Sequence, residues 1–187
     1  MNIPLSEMLK SIPGAVGIRL EEELPFTLIK KEGDFELRHY DEFTLAETTV
    51  RGTYDQATDT AFKRLASFIF GKNSESLTTS MTTPVFLDKT TDGWTMSFYI
   101  PKESAWIRPN DPTVKVETHP AKEVAIYRYS GTQSVEAMEE AKGKLLDYVK
   151  TAGLKTTSEV WWAQFDQPMS LPMTKRNEAL VKIALAS

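Results

Sequence analysis

The sequence predicts an α+β fold of about eight mainly antiparallel strands and two long helices, built as a tandem pseudo-repeat. Two observations carry that expectation. Strand-like runs are interrupted by two stretches of helical spacing, and the order strand, strand, glycine, helix, strand, strand occurs twice. Gly52 and Gly131 mark equivalent points 79 residues apart (131 − 52), and so do Phe35 and Val114 (114 − 35). Side-chain identity across that offset is poor, so it is the order of elements that repeats. One helix cannot cover eight strands, and the halves, about 34–101 and 113–187, are expected to share one core as a single domain over 24–187.

Residues 1–23 are an extension in which Leu5, Met8, Leu9 and Ile12 share one face of a short amphipathic helix. PFTLIKKEGDFELRHY reads as a hairpin, with Gly33 supplying the turn. FTLAETTVRG is rich in β-branched residues and reads as a strand closed by Gly52. From Asp55 to Phe70, Ala57, Ala61, Phe62, Leu65, Ala66 and Ile69 recur at helical spacing, with Asp55 as N-cap and Gly71 as stop. Strands follow around 84–88 and 94–100, then 114–118 and 123–129. A second helix spans about Ser134–Ala152, with Val135, Met138, Leu145, Leu146 and Val149 inward. The last strands fall near 159–165 and 179–185.

The 187 residues carry 22 Lys+Arg against 26 Asp+Glu, a formal charge of −4, and no basic block. That argues against nucleic acid or an anionic membrane surface as partner. No segment approaches the length of a membrane helix, and the first twenty residues lack a secretory apolar stretch. A soluble, cytoplasmic chain is expected, or a periplasmic one if a leader has been removed. With no cysteine, thiol catalysis, Fe–S clusters and thiolate zinc sites are excluded. None of the common phosphate, dinucleotide, zincin or serine-hydrolase motifs occurs.

The two histidines, His39 and His119, are therefore the scarce resource. In DFELRHYDEF, strand parity groups His39 with Phe35 and Leu37, toward a core or cavity, and sets Glu36, Arg38 and Tyr40 on the other face. Such a histidine is either a neutral imidazole bonded to backbone or tyrosine, or a ligand for a metal or haem iron. His119 shares parity with Lys115 and Glu117 and precedes Pro120, so a solvent-facing turn position is expected.

Several of these runs together resemble the SOUL family of haem-binding proteins. They are DFELRHYD (34–41), AETTVRG (46–52), AFKRLASFIFGKN (61–73), MTTPV (81–85), WTMSFYIP (94–101) and KRNEA (175–179). The resemblance spans roughly residues 24–185. It implies a distorted antiparallel β-barrel with two long helices, and an activity of binding haem or related tetrapyrroles. It also implies that His39, within Glu36-Leu37-Arg38-His39-Tyr40, is the candidate axial ligand. Other members of the family lack that histidine and hold haem by apolar contact. The chain departs from the family pattern at DQPMSLPMTKRNE, where Met169 and Met173 replace bulky residues, either as gap-fillers or as iron ligands.

A haem site needs an apolar slot and cations for the propionates. Phe62, Leu65, Ala66 and Ile69 are candidates for the slot, with ordinary core packing as their other role. Arg64 or Lys63 is a candidate for a propionate. The first reading is a haem or tetrapyrrole binder, a carrier, buffer or sensor without chemistry of its own. The alternatives are a haem-modifying enzyme, or an effector-type module for another amphipathic small molecule with Glu47 as a buried carboxylate.

Overall fold

The computed structural model describes residues 20–165 and 175–184. The chain folds as two compact units. In the described residues the first comprises 20–24 and 43–119, and the second 25–42, 120–165 and 175–184.

In the first unit, β4 (Phe43–Arg51), β6 (Val85–Lys89), β7 (Gly93–Ile100) and β8 (Lys115–His119) make an antiparallel array in the order β6-β7-β4-β8. Helix α1 (Tyr54–Ile69) lies on β4 and β7. Its apolar stripe fixes that choice: Ala57, Ala61, Phe62, Leu65, Ala66 and Ile69 are buried, and the Phe62 ring meets Phe98 of β7 edge-on at 5.7 Å. The N-cap is Thr53, two residues earlier than the expected Asp55, which sits in the first turn and favours the helix dipole there. Gly71 follows the C-cap with φ +102°, as a helix stop requires. Gly93 opens β7 where it crosses β4 so closely that any Cβ would run into the Val50 carbonyl.

Two short strands pair in parallel in this unit, β1 (Leu20–Glu23) with β5 (Met81–Thr83). The sequence gives no alternation from which to expect them. Beyond α1 the connecting loops are tied by Asn73. Its buried side chain donates to the carbonyls of Phe68 and Leu77 and accepts from the amides of Glu75 and Leu77.

The second unit orders β2 (Thr27–Glu32), β3 (Phe35–Tyr40), β9 (Lys122–Tyr129), β10 (Lys155–Gln164) and β11 (Asn177–Ala184) as β2-β3-β9-β11-β10, all antiparallel. Helix α2 (Val135–Thr151) packs on β9, β10 and β11. It starts where expected, because the Ser134 hydroxyl accepts the Ala137 amide at 3.2 Å. The face that takes α2 carries Trp162, whose indole N–H donates to the Met138 carbonyl at 2.9 Å, and Phe35, stacked on Tyr148 at 4.3 Å. The fold is α+β and mainly antiparallel, as expected. Within each unit the array is an open sheet with one helix on it, so barrel describes it only approximately.

Candidate functional site

The alternation of β3 is real, but burial runs opposite to the expectation. Glu36, Arg38 and Tyr40 are the buried set, whereas Phe35 and His39 are half-buried and only Leu37 of that parity is fully inside. The polar face is buried because its charges satisfy one another. The Arg38 guanidinium donates to both carboxylate oxygens of Glu178 on β11, at 2.8 Å each, to Glu36 at 2.8 Å and to the Tyr40 hydroxyl at 3.2 Å. Arg128 and Lys31 reach Glu36, Arg176 reaches Glu178, and the Phe26 ring lies 4.0 Å from the Arg38 guanidinium carbon. Burial pushes the Glu36 carboxyl up, but hydrogen bonds from Lys31 and Arg38 outweigh it and hold the group at about 2. Burial raises the Tyr40 hydroxyl to about 12.

That depressed carboxyl has a consequence for acid stability. Glu36 contributes fully above its ordinary value of 4.5, and the contribution is lost as pH falls from there through about 2. Unfolding free energy measured by urea titration between pH 5 and 2 should therefore fall by on the order of 2–3 kcal/mol on account of this group. In Glu36→Gln that part of the slope should be missing.

His39 sits on the opposite face of β3, with about 33% of its side chain exposed. Neither a backbone carbonyl nor a tyrosine holds it. Its Nδ1 lies 2.9 Å from the Glu123 carboxylate, its register partner on β9, and its Nε2 lies 3.4 Å from the exposed carboxylate of Asp41. The bond to Glu123 is the main cause of a raised imidazole pKa, against a smaller opposing effect of burial, with Asp41 adding to the rise. Asp41 is two residues along the sequence, but Glu123 lies 84 residues away and no local signal marks it.

The other candidates fall in different places. Phe62, Leu65, Ala66 and Ile69 form the core under α1, and a ligand would reach them only by displacing that packing. Arg64 and Lys63 lie on the outer flank of α1, along a cleft of about 490 Å³ shared with Asp59, Phe68 and Lys72. Lys63 is paired with Asp59 at 2.8 Å, and Arg64 makes one long hydrogen bond, 3.4 Å, to the Thr48 hydroxyl. Met169, Met173 and the expected N-terminal helix lie outside the described residues.

His119 corrects its expectation. It is partly buried, stacked on Phe43 with ring centroids 5.6 Å apart, and its Nε2 is bonded to Glu47. Its register partner on β4 is Phe43, a contact that strand parity within β8 alone does not reveal. Glu47 is thus a partner for His119, and the buried Glu36 and Glu178 are matched by arginines. Among the described residues, no three His, Cys, Asp or Glu side chains are grouped to hold a free metal ion, and no helix is long and apolar enough to cross a membrane.

The donor set at His39 suits haem iron. A histidine that ligates a metal through one nitrogen usually anchors the other on a carboxylate or carbonyl, which fixes the ring and raises its basicity. Glu123 is such an anchor for Nδ1, and Nε2 is left with only the loose contact to Asp41.

Comparison with known proteins finds similarity to haem-binding proteins. The family model described as SOUL heme-binding protein matches residues 21–182. Heme-binding protein 2 of Homo sapiens is 30% identical over 178 residues, covering 78% of this chain and 83% of the relative. The Mus musculus protein of the same name is 26% identical over 168 residues, covering 82% and 80%. Among solved structures, the EcmrR C-terminal domain superposes with a TM-score of 0.62 at 10% identity, covering 81% of this chain and 98% of that one. A hydrolase from Listeria innocua gives 0.55 at 10% identity, covering 83% and 94%. At such identities the structural likeness concerns the fold alone.

Proposed function

From a chain that belongs to the SOUL family of haem-binding proteins, we propose a haem carrier or buffer in which His39 supplies the iron ligand through Nε2. The observation that supports ligation is the Nδ1 bond to Glu123, which holds the imidazole in one orientation and turns Nε2 away from Glu123, where a ligand would have to displace the 3.4 Å contact to Asp41. Haem brings a Lewis-acidic iron in a flat, largely apolar disc with two carboxylates. The chain's part is to bind and orient it. Arg64 and Lys63, beside the cleft on α1, are separate candidates for a carboxylate of the ligand.

The test is a haemin titration followed by Soret absorbance. Wild type should bind at micromolar haemin, Glu123→Gln should bind roughly tenfold more weakly, and His39→Ala should lose at least as much and shift the band. Iron competes with a proton for Nε2, so affinity should fall by about tenfold per pH unit once pH drops below the imidazole pKa. Because Glu123 and Asp41 raise that pKa above 6.5, the decline should begin at a higher pH than for an ordinary histidine. A wild type that ignores haemin would refute the reading. An identical Soret band in His39→Ala would remove His39 as ligand.

A further inference from the structure

Strand β2 ends the sheet order on the side of His39, and all six of its residues are exposed. Its ladder with β3 places Thr27 opposite His39 and Leu28 opposite Arg38, then shifts so that Lys30 stands opposite Leu37. Ile29 is the extra residue of that bulge. A bulge bends its strand and releases a side chain from strict alternation, and bulges are common beside functional sites. Here it leaves Leu28 48% and Ile29 45% exposed, two consecutive large apolar side chains in water. Terminal strands ordinarily avoid such exposure.

Lys30 belongs to the same sheet face as His39, because its partner Leu37 has the same parity. At about 3.3 Å per residue along a strand and about 4.8 Å between strands, its Cα lies about 8 Å from that of His39. Its present partner is Glu32, 2.9 Å away on the same strand, in an ion pair with both members about half exposed. Such a pair is worth little, so an incoming carboxylate can replace Glu32 at small cost.

An axial nitrogen, an apolar surface and a cation thus occur within three residue pairs of one hairpin. These are the three features that an amphipathic tetrapyrrole carboxylate requires. We infer that the bulged strand β2 forms the rest of the tetrapyrrole site at His39, with Leu28 and Ile29 against the ring and Lys30 on a ring carboxylate. The inference rests on the reading of His39 as ligand and adds the residues that recognise the rest of the molecule. The site is open: a disc standing against the free edge of β2 is met by Leu28 from the Arg38 face and by Lys30 from the His39 face, and keeps one side in solvent. That arrangement suits a ligand that is handed on.

Two measurements on the full chain test it. Gallium protoporphyrin, a diamagnetic stand-in for haem, is titrated into protein labelled at Ile, Leu and Val methyl groups and followed by NMR. The Ile29 and Leu28 methyls should show the ring-current shifts, with the core methyls of Leu65 and Ile69 unmoved. In the haemin titration, the double variant Leu28→Ser/Ile29→Ser should bind roughly tenfold more weakly. Lys30→Glu should also weaken binding, and its loss should shrink with added salt. Both changes lie on a fully exposed strand, and an unaltered methyl spectrum of the core verifies the fold. Leu146→Ser, an exposed apolar residue of α2, serves as control and should change nothing.

Ring-current shifts confined to α1 methyls would overturn the inference. So would an affinity unchanged within twofold in the double variant while His39→Ala still loses the Soret shift, and in that case the His39 reading survives alone. A wild type that binds neither porphyrin removes both together.

Discussion

Arg38→Ala should cost about 3–5 kcal/mol of unfolding free energy, because it leaves the buried carboxylates of Glu36 and Glu178 without their central partner. Arg128 and Arg176 still reach those carboxylates from the rim, but neither replaces the two-pronged bond to Glu178. The variant also empties the space under the Phe26 ring. Urea denaturation monitored by tryptophan fluorescence measures the loss. Removing the charges together gives the opposite result. A triple variant, Glu36→Leu/Arg38→Met/Glu178→Leu, should recover wild-type stability or exceed it, since burying ions costs several kcal/mol per group that apolar side chains do not incur. A loss below about 1 kcal/mol in Arg38→Ala would mean that the network is wetter than its burial indicates.

The second large effect belongs to Trp162. It is almost completely buried beneath α2, and its indole is bonded to the Met138 carbonyl. Trp162→Ala should destabilise by about 3–5 kcal/mol through lost burial and the cavity left behind. Trp162→Phe keeps most of the volume and forfeits the hydrogen bond, so about 1–2 kcal/mol is expected. If the two variants were equally harmful, the hydrogen bond and not the packing would be what anchors α2. Thermal melts of both variants at one pH settle the comparison.

The helices were the most legible part of the chain. Their apolar positions recur at the helical period, and Ser134 announces the start of α2 by its capping hydroxyl. The antiparallel pairings were legible in kind, since short alternating runs separated by glycine turns leave few other arrangements. The parallel pair β1–β5 was not, because Leu20–Glu23 and Met81–Thr83 have no alternation to read.

The faces of β3 were misjudged for a definite reason. Hydrophobicity assigns a glutamate and an arginine to water, yet Arg38 is neutralised by Glu178, 140 residues along the chain. Local pattern has no access to such a partner. Glu123 and Glu47, which hold the two histidines, escaped for the same reason. The residues that carried the family resemblance also prove to be framework. Asn73 of the G-K-N run ties its loop, Asn177 donates to the Gly131 carbonyl, and Glu178 clasps Arg38. Asn73, Asn177 and Glu178 of the signature therefore report the scaffold.

The exposed strand β2 also bears on how molecules of this protein meet one another. A free edge with Leu28 and Ile29 uncovered is a template on which a second chain can add a strand. Directly after them come Lys30 and Lys31, both about half exposed and on opposite faces, and two such edges brought together would set lysine beside lysine on each face. The lysines thus act as gatekeepers against strand-on-strand growth. Their protection is electrostatic and so fades in concentrated salt, where this hairpin becomes the place at which the molecules first adhere.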